Sequence, residues 1–397
     1  MNPAEAQRLL ADVEAFCQEI RPHEEFAYAE RRYNDQLVPL ARKYNLLGMN
    51  VAPTYGGRGA DTVTYLQALA RIGREGTGVR TFFSGHLSIG AYPIQTWGSE
   101  TLKQKYLPRA VRGECILAFG LTEPEAGSNP RQMTSTYRRT AHGYVLNGVK
   151  YLISNGGIAD AIVVFAYPAD VAPNDPRYRI SAFVIDTHVP GFEVESFTPQ
   201  AKLGLPTSNT AMFAMHDLAV PEENLLGREG DGFRIAMGTL VSGRLSVAAG
   251  CLGVIEDCLA EVLRYAKERV QHGKEIGRHQ LVQEHIALIE VARAATAALV
   301  HQAAVAKDQA AAQPGDVALA QRADLLAAQA KFFASQAAWE AADRAVQVFG
   351  GRGWSTLYRP ARHLADVRVC RIYEGTDEIL KLKIAAALLG KEWEAFH

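Results

Sequence analysis

The sequence predicts a mostly helical α+β protein in which a β-rich middle region separates two helical regions. Apolar residues recur at steps of three and four in the first part of the chain and again in its last part, which is the period of a helix. Between these parts, short β-branched and aromatic runs alternate with turn residues. We therefore expect an N-terminal α-helical domain over residues 1–115, a central antiparallel β domain over residues 116–226 and a C-terminal helical bundle over residues 227–397.

The first region is interpreted as amphipathic helices that share a core. Two apolar stripes have helical spacing, namely Leu9, Val13, Phe16 and Ile20, then Val63, Leu66 and Ile72. Between them, residues 52–59 (APTYGGRG) contain a proline and three glycines, which break regular structure and allow close backbone approach. On its own, this segment favours a tight turn between helices over a binding loop.

The middle region contains six short runs that favour strands, at residues 115–119, 144–146, 149–153, 161–167, 180–185 and 192–197. Asn147-Gly148 stands between two of these runs. This dipeptide is typical of a two-residue type I′ hairpin. The sequence therefore predicts antiparallel pairing there, unlike the sheet of a Rossmann fold.

Helical periodicity returns after residue 227. One stripe consists of Ala248, Leu252, Ile255, Leu259, Val262 and Ala266. Alanine-rich helices follow as far as Leu389, and such helices pack closely and bury much of their circumference. We therefore expect a bundle through which subunits of a homo-oligomer could meet.

Composition and charge exclude several classes of protein. The 397 residues are 48% hydrophobic and 21% charged, which is enough to bury a large core. The formal charge of -1 supplies no field to attract nucleic acid or an anionic membrane. The sequence has no long uncharged apolar run, and its N-terminus carries acids where a signal peptide would be basic. We expect a cytoplasmic protein with no nucleic-acid or membrane partner.

Cysteine and histidine do not indicate a metal site. The five cysteines form no CxxC pair, and the eleven histidines form no HExxH motif. Cys251 and Cys258 lie seven apart in an apolar helical pattern, which is typical of core residues. We expect no bound metal.

Several loops could hold a nucleotide-like cofactor, although the P-loop and GxGxxG signatures are absent. Residues 119–130 and 151–157 follow strands and are rich in small residues and hydroxyls, so their backbone N–H groups suit a polar ring edge or a phosphate. Residues 269–274 with Gln280, and residues 347–353, combine a cation with glycines and suit a pyrophosphate. Taken singly, each segment is also explained as an ordinary loop or a solvated helix end.

Glu374 is a candidate base. It lies just before an apolar helix that Thr376 can cap. A carboxylate among apolar and aromatic neighbours there could point into a cavity with a raised pKa and accept a proton. An ordinary helix start is the alternative.

Taken together, these segments resemble the acyl-CoA dehydrogenase family over nearly the whole chain. Six motifs occur in the family's order: APTYGGRG, TEPEAGSN, LNGVKYLISNGG, RVQHGK, QVFGGRG and IYEGTDEI. The resemblance implies an N-terminal helical domain, a central antiparallel β domain and a C-terminal four-helix bundle, usually assembled as a dimer of dimers. It also implies bound FAD, an acyl-CoA substrate and an electron-transferring flavoprotein as electron acceptor.

The resemblance assigns the cofactor contacts residue by residue. The positions that match contacts around the flavin ring are Phe119, Leu121, Thr122, Gly127, Ser128, Leu152 and Ser154. Thr376 and Glu378 match cofactor contacts close to Glu374. Those that match contacts to the FAD of a neighbouring subunit are Arg269, His272, Gln280, Gln347, Gly350 and Gly351. Oligomerisation would therefore complete the cofactor site.

The resemblance also implies a mechanism in which Glu374 removes the α-proton of an acyl thioester while Cβ delivers a hydride to the flavin. The backbone N–H of Glu374 and a flavin ribityl hydroxyl would then stabilise the thioester oxygen. Ser128, Arg244, Tyr373 and Gly375 match positions that contact substrate, and for Arg244 a purely structural role is the alternative. Some relatives place the base at the position of Gly243, which can accept no proton.

Five positions depart from the family pattern, and they bear on the substrate. Leu152 replaces a frequent tryptophan, Asn129 an aspartate, His272 a phenylalanine, and Pro206 and Ala365 replace arginines. Gly243-Arg244 is similar to short-chain or branched-chain members, so we expect a short or branched acyl-CoA. The alternatives are a biosynthetic dehydrogenase of a carrier-protein-tethered acyl group, and a flavin-binding homologue without dehydrogenase activity.

Overall fold

A computed structural model describes residues 1–393 of the chain. The helices are α1 (Pro3–Ala29), α2 (Leu37–Lys43), α3 (Thr62–Glu75), α4 (Thr77–Phe83), α5 (Tyr92–Trp97), α6 (Glu100–Val111), α7 (Gly232–Glu268), α8 (Gln280–Ala312), α9 (Val317–Phe349), α10 (Arg359–Val367) and α11 (Asp377–Leu389). The strands are β1 (Leu117–Gly120), β2 (Thr136–Thr140), β3 (Gly143–Ser154), β4 (Ala161–Pro168), β5 (Ser181–Asp186), β6 (Phe192–Ser196), β7 (Thr210–Val220), β8 (Leu225–Leu226), β9 (Val270–Gln271) and β10 (Lys274–Glu275). This order of helices, sheet and helices confirms the predicted fold class.

Helix α1 forms where the sequence predicts it, because both its cap and its apolar stripe favour a helix. Asn2 and Glu5 make a reciprocal capping box at its start. All four residues of the predicted stripe are fully buried, from Leu9 to Ile20. Helix α3 starts in a similar way, where the Asp61 side chain accepts a hydrogen bond from the Thr64 N–H at 2.7 Å.

Helices α4 and α5 are joined without a break by a π-helical segment, Ser84–Ala91. Such segments insert extra residues into a helix and are frequent at functional sites. Two hydrogen bonds between hydroxyl groups fix this one in place: Ser84 Oγ lies 2.5 Å from Ser246 Oγ of α7, and Ser88 Oγ lies 2.7 Å from the Tyr65 hydroxyl of α3. The segment is thus clamped between α3 and α7.

Eight strands form one sheet in the middle of the chain, in the order β6-β7-β3-β2-β4-β5-β8, with β1 also paired to β4. Most neighbours are antiparallel, as predicted, but β1 and β2 each run parallel to β4. Strands β2 and β7 were not predicted. Strand β7 has an aspartate and a histidine in its exposed half, and these dilute its apolar signal.

The predicted hairpin at Asn147-Gly148 is wrong. Residues on both sides of it belong to one strand, β3, and the loop between β2 and β3 consists of the two residues Ala141 and His142. Asn147-Gly148 lies instead at a register shift between β3 and β7, where Gly148 has φ +145°. The Asn147 side chain exchanges hydrogen bonds with Asp217 of β7, so the dipeptide forms a β-bulge rather than a turn.

The C-terminal helices pack as a bundle in which α7, α8 and α11 contact α9. The predicted stripe on α7 is largely buried, and Cys251 and Cys258 lie in the core. Buried residues of this bundle and of α1, α3 and α4 form one continuous core, while a second core fills one side of the sheet. Among the described residues, α8 is long and apolar enough to cross a bilayer by length and composition alone, but it packs here on α7 and α9.

Candidate active site

Glu374 lies in the loop between α10 and α11, with its backbone in a strained conformation. Its φ is +58°, in the left-handed region that non-glycine residues rarely adopt, and Gly375 follows with φ +94°. Thr376 ends the loop by capping α11, since its side chain accepts a hydrogen bond from the Ile379 N–H at 3.2 Å. The predicted cap is present, and the strained residue before it aims its side chain inward.

The carboxylate of Glu374 is buried and incompletely bonded. Its Oε2 atom is buried without a hydrogen-bond partner among the described residues. It lies directly against Gly243 of α7, where any Cβ would overlap the carboxylate. Burial raises the pKa of Glu374 to about 7, although nearby cations oppose this shift. A group with such a pKa can accept a proton near neutral pH.

Three cations surround this carboxylate and lower its pKa in the order Arg244, Lys331 and Arg80. Arg244 Nε donates to the backbone carbonyl of Glu374 at 3.2 Å, and its Nη1 lies 3.1 Å from Asp324. Lys331 Nζ donates to the carbonyl of Gly375 at 2.6 Å. Two cations therefore hold the backbone of the loop rather than neutralise the carboxylate.

The structure brings the two predicted strand-end loops together. The Tyr151 N–H donates to the Thr122 carbonyl at 2.9 Å, which joins the first loop to the second. Below them, Lys150 and Glu123 form a fully buried ion pair at 2.8 Å. Glu123 also accepts hydrogen bonds from the Thr134 and Ser135 N–H groups. Because the Lys150–Glu123 pair is buried and Glu123 also binds two backbone N–H groups, the loop that carries Gly127 and Ser128 has a rigid base.

These joined loops fit the polar edge of a flavin ring. An added Cβ at Gly127 would meet nothing within 4 Å, and Ser128 is exposed, so a ligand can approach backbone and hydroxyl donors. Leu152 has φ +59° and is 54% exposed, an unusual state for a large apolar side chain at a strand end. An aromatic ligand would cover it. Phe119 and Leu121 are buried below the same surface.

Family models agree with this site. The N-terminal, middle and C-terminal domain models of acyl-CoA dehydrogenases match residues 3–114, 118–218 and 230–389. The chain belongs to the acyl-CoA dehydrogenase family. Enzymes of this family are oxidoreductases, and FAD is their cofactor.

Known relatives cover nearly the whole chain. An acyl-CoA dehydrogenase of Bacillus subtilis is 40% identical over 372 residues, 94% of each protein. The solved butyryl-CoA dehydrogenase of Megasphaera elsdenii is 34% identical, with a TM-score of 0.90 over 98% of this chain and 99% of the other. A glutaryl-coenzyme A dehydrogenase in complex with glutaryl-CoA is 33% identical, with a TM-score of 0.90 over 99% and 97%.

The residues predicted to contact the FAD of a neighbouring subunit lie near the C-terminal end of α7. Arg269 follows the last turn of α7, and Gln347 precedes Phe349, whose ring stacks on Tyr265 of α7 at 4.1 Å. His272, Gln280, Gly350 and Gly351 are exposed in the same area. Gly243 and Arg269 are 26 residues apart, about 39 Å along a helix. Within one chain, this set is therefore remote from Glu374.

The departures from the family pattern have local partners. The Asn129 side chain accepts a hydrogen bond from the Arg131 N–H at 3.2 Å. Pro206 and Ala365 lie on segments that meet, where the Leu205 N–H donates to Asp366 at 2.7 Å. His272 is exposed with φ +51°. None of these contacts involves the loop around Glu374.

Sequence reasoning missed three polar residues of the site: Arg80, Asp324 and Lys331. Arg80 and Lys331 each stand alone in a run of apolar or small residues, and a lone charged residue at a buried helical position is a usable signal. Asp324 lies two residues after Arg322 and gives no such signal. Tyr373, which we predicted, has its hydroxyl bonded to the Arg80 guanidinium. The contact joins α4 to the loop that carries Glu374 across 293 residues, so no local pattern reveals it.

An open cavity of about 340 Å³ lies near the start of α7. Its cationic walls are Arg131, Arg179 and Arg234. The Tyr167 and Tyr178 rings stack at 4.3 Å beside it, and Arg131 lies 4.4 Å over the Phe233 ring. Cations next to aromatic faces suit a phosphorylated nucleotide.

Proposed function

We propose that the protein is an FAD-dependent dehydrogenase that converts a short acyl-CoA thioester to its trans-2-enoyl-CoA. The observation that carries the proposal is the buried carboxylate of Glu374, which has an unbonded oxygen and a pKa near neutrality. Such a group is suited to remove a weakly acidic proton. The full-length similarity to a butyryl-CoA dehydrogenase supports the short chain.

Glu374 and the residues around its loop each have a part in the proposed reaction. When bound, FAD supplies the acceptor for the β-hydride. Glu374 takes the α-proton at its Oε2 atom, and its backbone N–H binds the thioester oxygen as negative charge develops there. Arg244 and Lys331 hold the carbonyls of Glu374 and Gly375, and so they keep the N–H aimed at the substrate. Ser128 and Tyr373 complete the proposed substrate contacts.

A CoA tether fits the structure better than a carrier protein. The cavity with three arginines is concave and partly aromatic, which suits a small nucleotide better than a convex protein surface. Phe233 and Gly243 lie ten residues apart on α7, or about 15 Å along the helix. An extended pantetheine arm spans such a distance, so the cavity could hold the nucleotide while the thioester reaches Glu374.

We also propose that subunits share the cofactor site. Arg269 and Gln347 are too remote from Glu374 to contact the flavin of their own chain. Together with Gly350 and Gly351, they form an exposed surface that combines a cation with glycines and suits a pyrophosphate. Exposed apolar residues of α8 and α9 supply a surface for a second copy, notably Leu281, Val291 and Phe333. An electron-transferring flavoprotein is the proposed acceptor.

The test is anaerobic mixing of the purified holoenzyme with acyl thioesters while the flavin absorbance is followed. We expect short acyl-CoA thioesters to bleach the flavin faster than long straight chains. Reduction by a carrier-protein thioester but by no acyl-CoA would replace the CoA proposal by the carrier-protein alternative. If no thioester of either kind reduces the flavin, the chain is a flavin-binding homologue without this activity.

A further inference from the structure

Asp324 of α9 bridges two cations that lie on either side of the loop that carries Glu374. Its Oδ1 atom accepts a hydrogen bond from Arg244 Nη1 of α7 at 3.1 Å, and its Oδ2 atom lies 2.5 Å from Lys383 Nζ of α11. Both carboxylate oxygens are therefore occupied. Because α11 begins directly after the loop, this one carboxylate links the helix that holds the loop to the helix that follows it.

The Arg244 guanidinium is divided between two acceptors, and neither is the Glu374 carboxylate. Its Nε atom donates to the Glu374 carbonyl at 3.2 Å, and its Nη1 atom donates to Asp324. Among the described residues, no cation lies within ion-pair distance of the Glu374 carboxylate. The Arg244 side chain is only 6% exposed, and a charge so deeply buried needs a partner. Asp324 supplies the counter-charge that Glu374 would otherwise give.

No other carboxylate near the loop has this position. Lys331 donates to the carbonyl of Gly375 and faces Asp377, which pairs with Arg371 at 2.7 Å. The charged and titratable groups around Glu374 and its loop are Arg80 of α4, Arg244 and Cys251 of α7, Asp324 and Lys331 of α9, Cys370, Arg371 and Tyr373 ahead of Glu374, and Asp377 and Lys383 of α11. Of the carboxylates in this set, Asp324 is the one bonded to the cation that holds Glu374.

We propose that Asp324 is a positioning residue for the base, which holds the Arg244 guanidinium on the Glu374 carbonyl and away from the Glu374 carboxylate. This inference rests on the proposed dehydrogenation, because it gives Asp324 a part in keeping that carboxylate free to take the α-proton. The anchored guanidinium fixes the backbone of the loop, and the charge of Asp324 offsets the charge of Arg244. Without this offset, Arg244 would favour the ionised form of Glu374 more strongly and make it a weaker base.

The test is the pH dependence of flavin reduction by butyryl-CoA in the holoenzyme. Asp324→Asn keeps the size and one acceptor oxygen but removes the charge. We expect the midpoint of the rate profile to move from about pH 7 to lower pH by about one unit, the low end of the effect of a charge 4–6 Å away. Above the midpoint the rate should fall by about tenfold, because the base is weaker and its loop is held less firmly. A purely structural role would lower the rate at every pH without moving the midpoint, and that result would overturn the inference.

Asp324→Glu separates the charge of this side chain from its length. The variant keeps the negative charge beside Arg244, so its midpoint should stay near that of the wild type even where a poorer fit lowers the rate. A downward shift of the midpoint in a folded Asp324→Glu protein would show that the charge is not responsible, and the inference would be wrong.

Lys383→Met is the matched control, because it removes the other cation bonded to Asp324 and loosens the same contact with α11. The Lys383 and Asp324 side chains are similarly exposed, at 34% and 33%. Loss of a positive charge disfavours the ionised form of Glu374, so the midpoint should stay at or above that of the wild type. A downward shift as large as that of Asp324→Asn would assign the effect to the placement of α11 instead, against the inference.

Protein stability gives a second readout that needs no substrate. The free energy of unfolding is measured against pH for the wild type and for Asp324→Asn, each relative to the same protein with Glu374→Gln. The folded-state pKa of Glu374 marks the upper end of the pH window over which this difference is lost, about pH 7 in the wild type. We expect the upper end to lie lower in Asp324→Asn. An unchanged window in a folded Asp324→Asn protein would contradict the inference.

The two readouts distinguish failure of the inference from failure of the proposed function. If thioesters reduce the wild-type flavin and Asp324→Asn moves neither the rate profile nor the unfolding window, the inference about Asp324 is wrong and the proposed dehydrogenation stands. If no acyl thioester reduces the flavin but the unfolding window moves as expected, the proposed function is wrong, whereas the effect of Asp324 on the charge of Glu374 is supported.

Discussion

At the scale of the residue, the site depends on the carboxylate of Glu374, one oxygen of which is buried without a hydrogen-bond partner among the described residues. Burial raises the pKa of Glu374 to about 7, because the charged form loses hydration that the nearby cations only partly replace. The positive φ of the residue shows that its backbone is strained to achieve this placement. Glu374 combines two properties of a base, a pKa near the working pH and an accessible lone pair.

Glu374→Gln should slow flavin reduction strongly and leave the cofactor bound. Glutamine keeps the size and the backbone N–H but accepts no proton from Cα, so flavin reduction should fall by about 10²- to 10⁴-fold. Stopped-flow reduction under anaerobic conditions measures the rate, and the flavin absorbance per chain reports the FAD content. Reduction near the wild-type rate would refute Glu374 as the base.

The rate of flavin reduction should rise with pH. Because the pKa of Glu374 is raised to about 7, a substantial fraction is protonated at neutral pH and cannot act as a base. The rate should increase through pH 7 and level off above it. A profile that is flat between pH 5 and 9, with bound substrate and intact flavin, would contradict the raised pKa.

The stability of the folded protein should show the opposite dependence on pH. The folded-state pKa of Glu374 lies above its ordinary value of 4.5, so its contribution is fully present below about pH 4.5 and is lost as pH rises through about 7. The free energy of unfolding of the wild type, relative to Glu374→Gln, should therefore fall across this window and stay constant above it. Denaturant unfolding of both proteins at several pH values measures this difference.

At the scale of the element, α7 acts as the platform of the site. Its glycines let other groups approach the helix backbone: the Glu374 carboxylate at Gly243 and the Arg80 guanidinium at Gly250. The same helix carries Arg244, which holds the Glu374 carbonyl. Helix α7 thus fixes the position of the Glu374 carboxylate and of the loop that carries it.

A carboxylate moved from the loop to α7 should restore part of the activity. A Cβ at Gly243 would overlap the Glu374 side chain, so the new base needs a small residue at 374. We expect Glu374→Gly to be inactive, and the double variant Gly243→Glu with Glu374→Gly to recover measurable flavin reduction, because both carboxylates then occupy the same volume. Gly243→Ala is the control for crowding and should lower activity by displacing Glu374.

Failure of this rescue would contradict only the expected position of a carboxylate at residue 243, not the assignment of Glu374 as the base. If the double variant folds, binds FAD and stays as inactive as Glu374→Gly, then a carboxylate on α7 cannot reach the α-carbon. The assignment of Glu374 depends on the single variant instead. Circular dichroism and flavin absorbance show that folding and cofactor binding are intact.

At the scale of the whole molecule, α7 connects two proposed FAD sites, that of its own subunit near Glu374 and that of a second copy near Arg269. One end lies beside Glu374, and the other carries Arg269 with Gln347 nearby, about 39 Å away along a helix. A cavity of about 240 Å³ opens between α8 and α9, lined by apolar residues that include Val291 and Phe333. This surface is where we expect a second copy to bind.

Val291→Glu should dissociate the proposed oligomer and weaken FAD binding together. Val291 is 65% exposed, so a charge there costs little in a monomer but opposes burial against a second copy. Leu203→Glu is the matched control, because Leu203 is 72% exposed on the sheet side. Sedimentation velocity gives the size, and dialysis followed by absorbance gives the retained FAD. A monomeric Val291→Glu that keeps FAD as tightly as the wild type would contradict the shared site.

Apolar periodicity alone predicts the succession of helices, sheet and helices, because it follows from local geometry. The sequence also marked Glu374, the Thr376 cap and the two loops after strands, since each combines residue types with a known local role. Other features depend on contacts between residues far apart in the chain. Asn147-Gly148 became a bulge because β7 pairs across it, and Arg80 entered the site through a contact with Tyr373, 293 residues away. Burial, and with it the raised pKa of Glu374, depends on elements distant in the chain, so only the folded molecule fixes it.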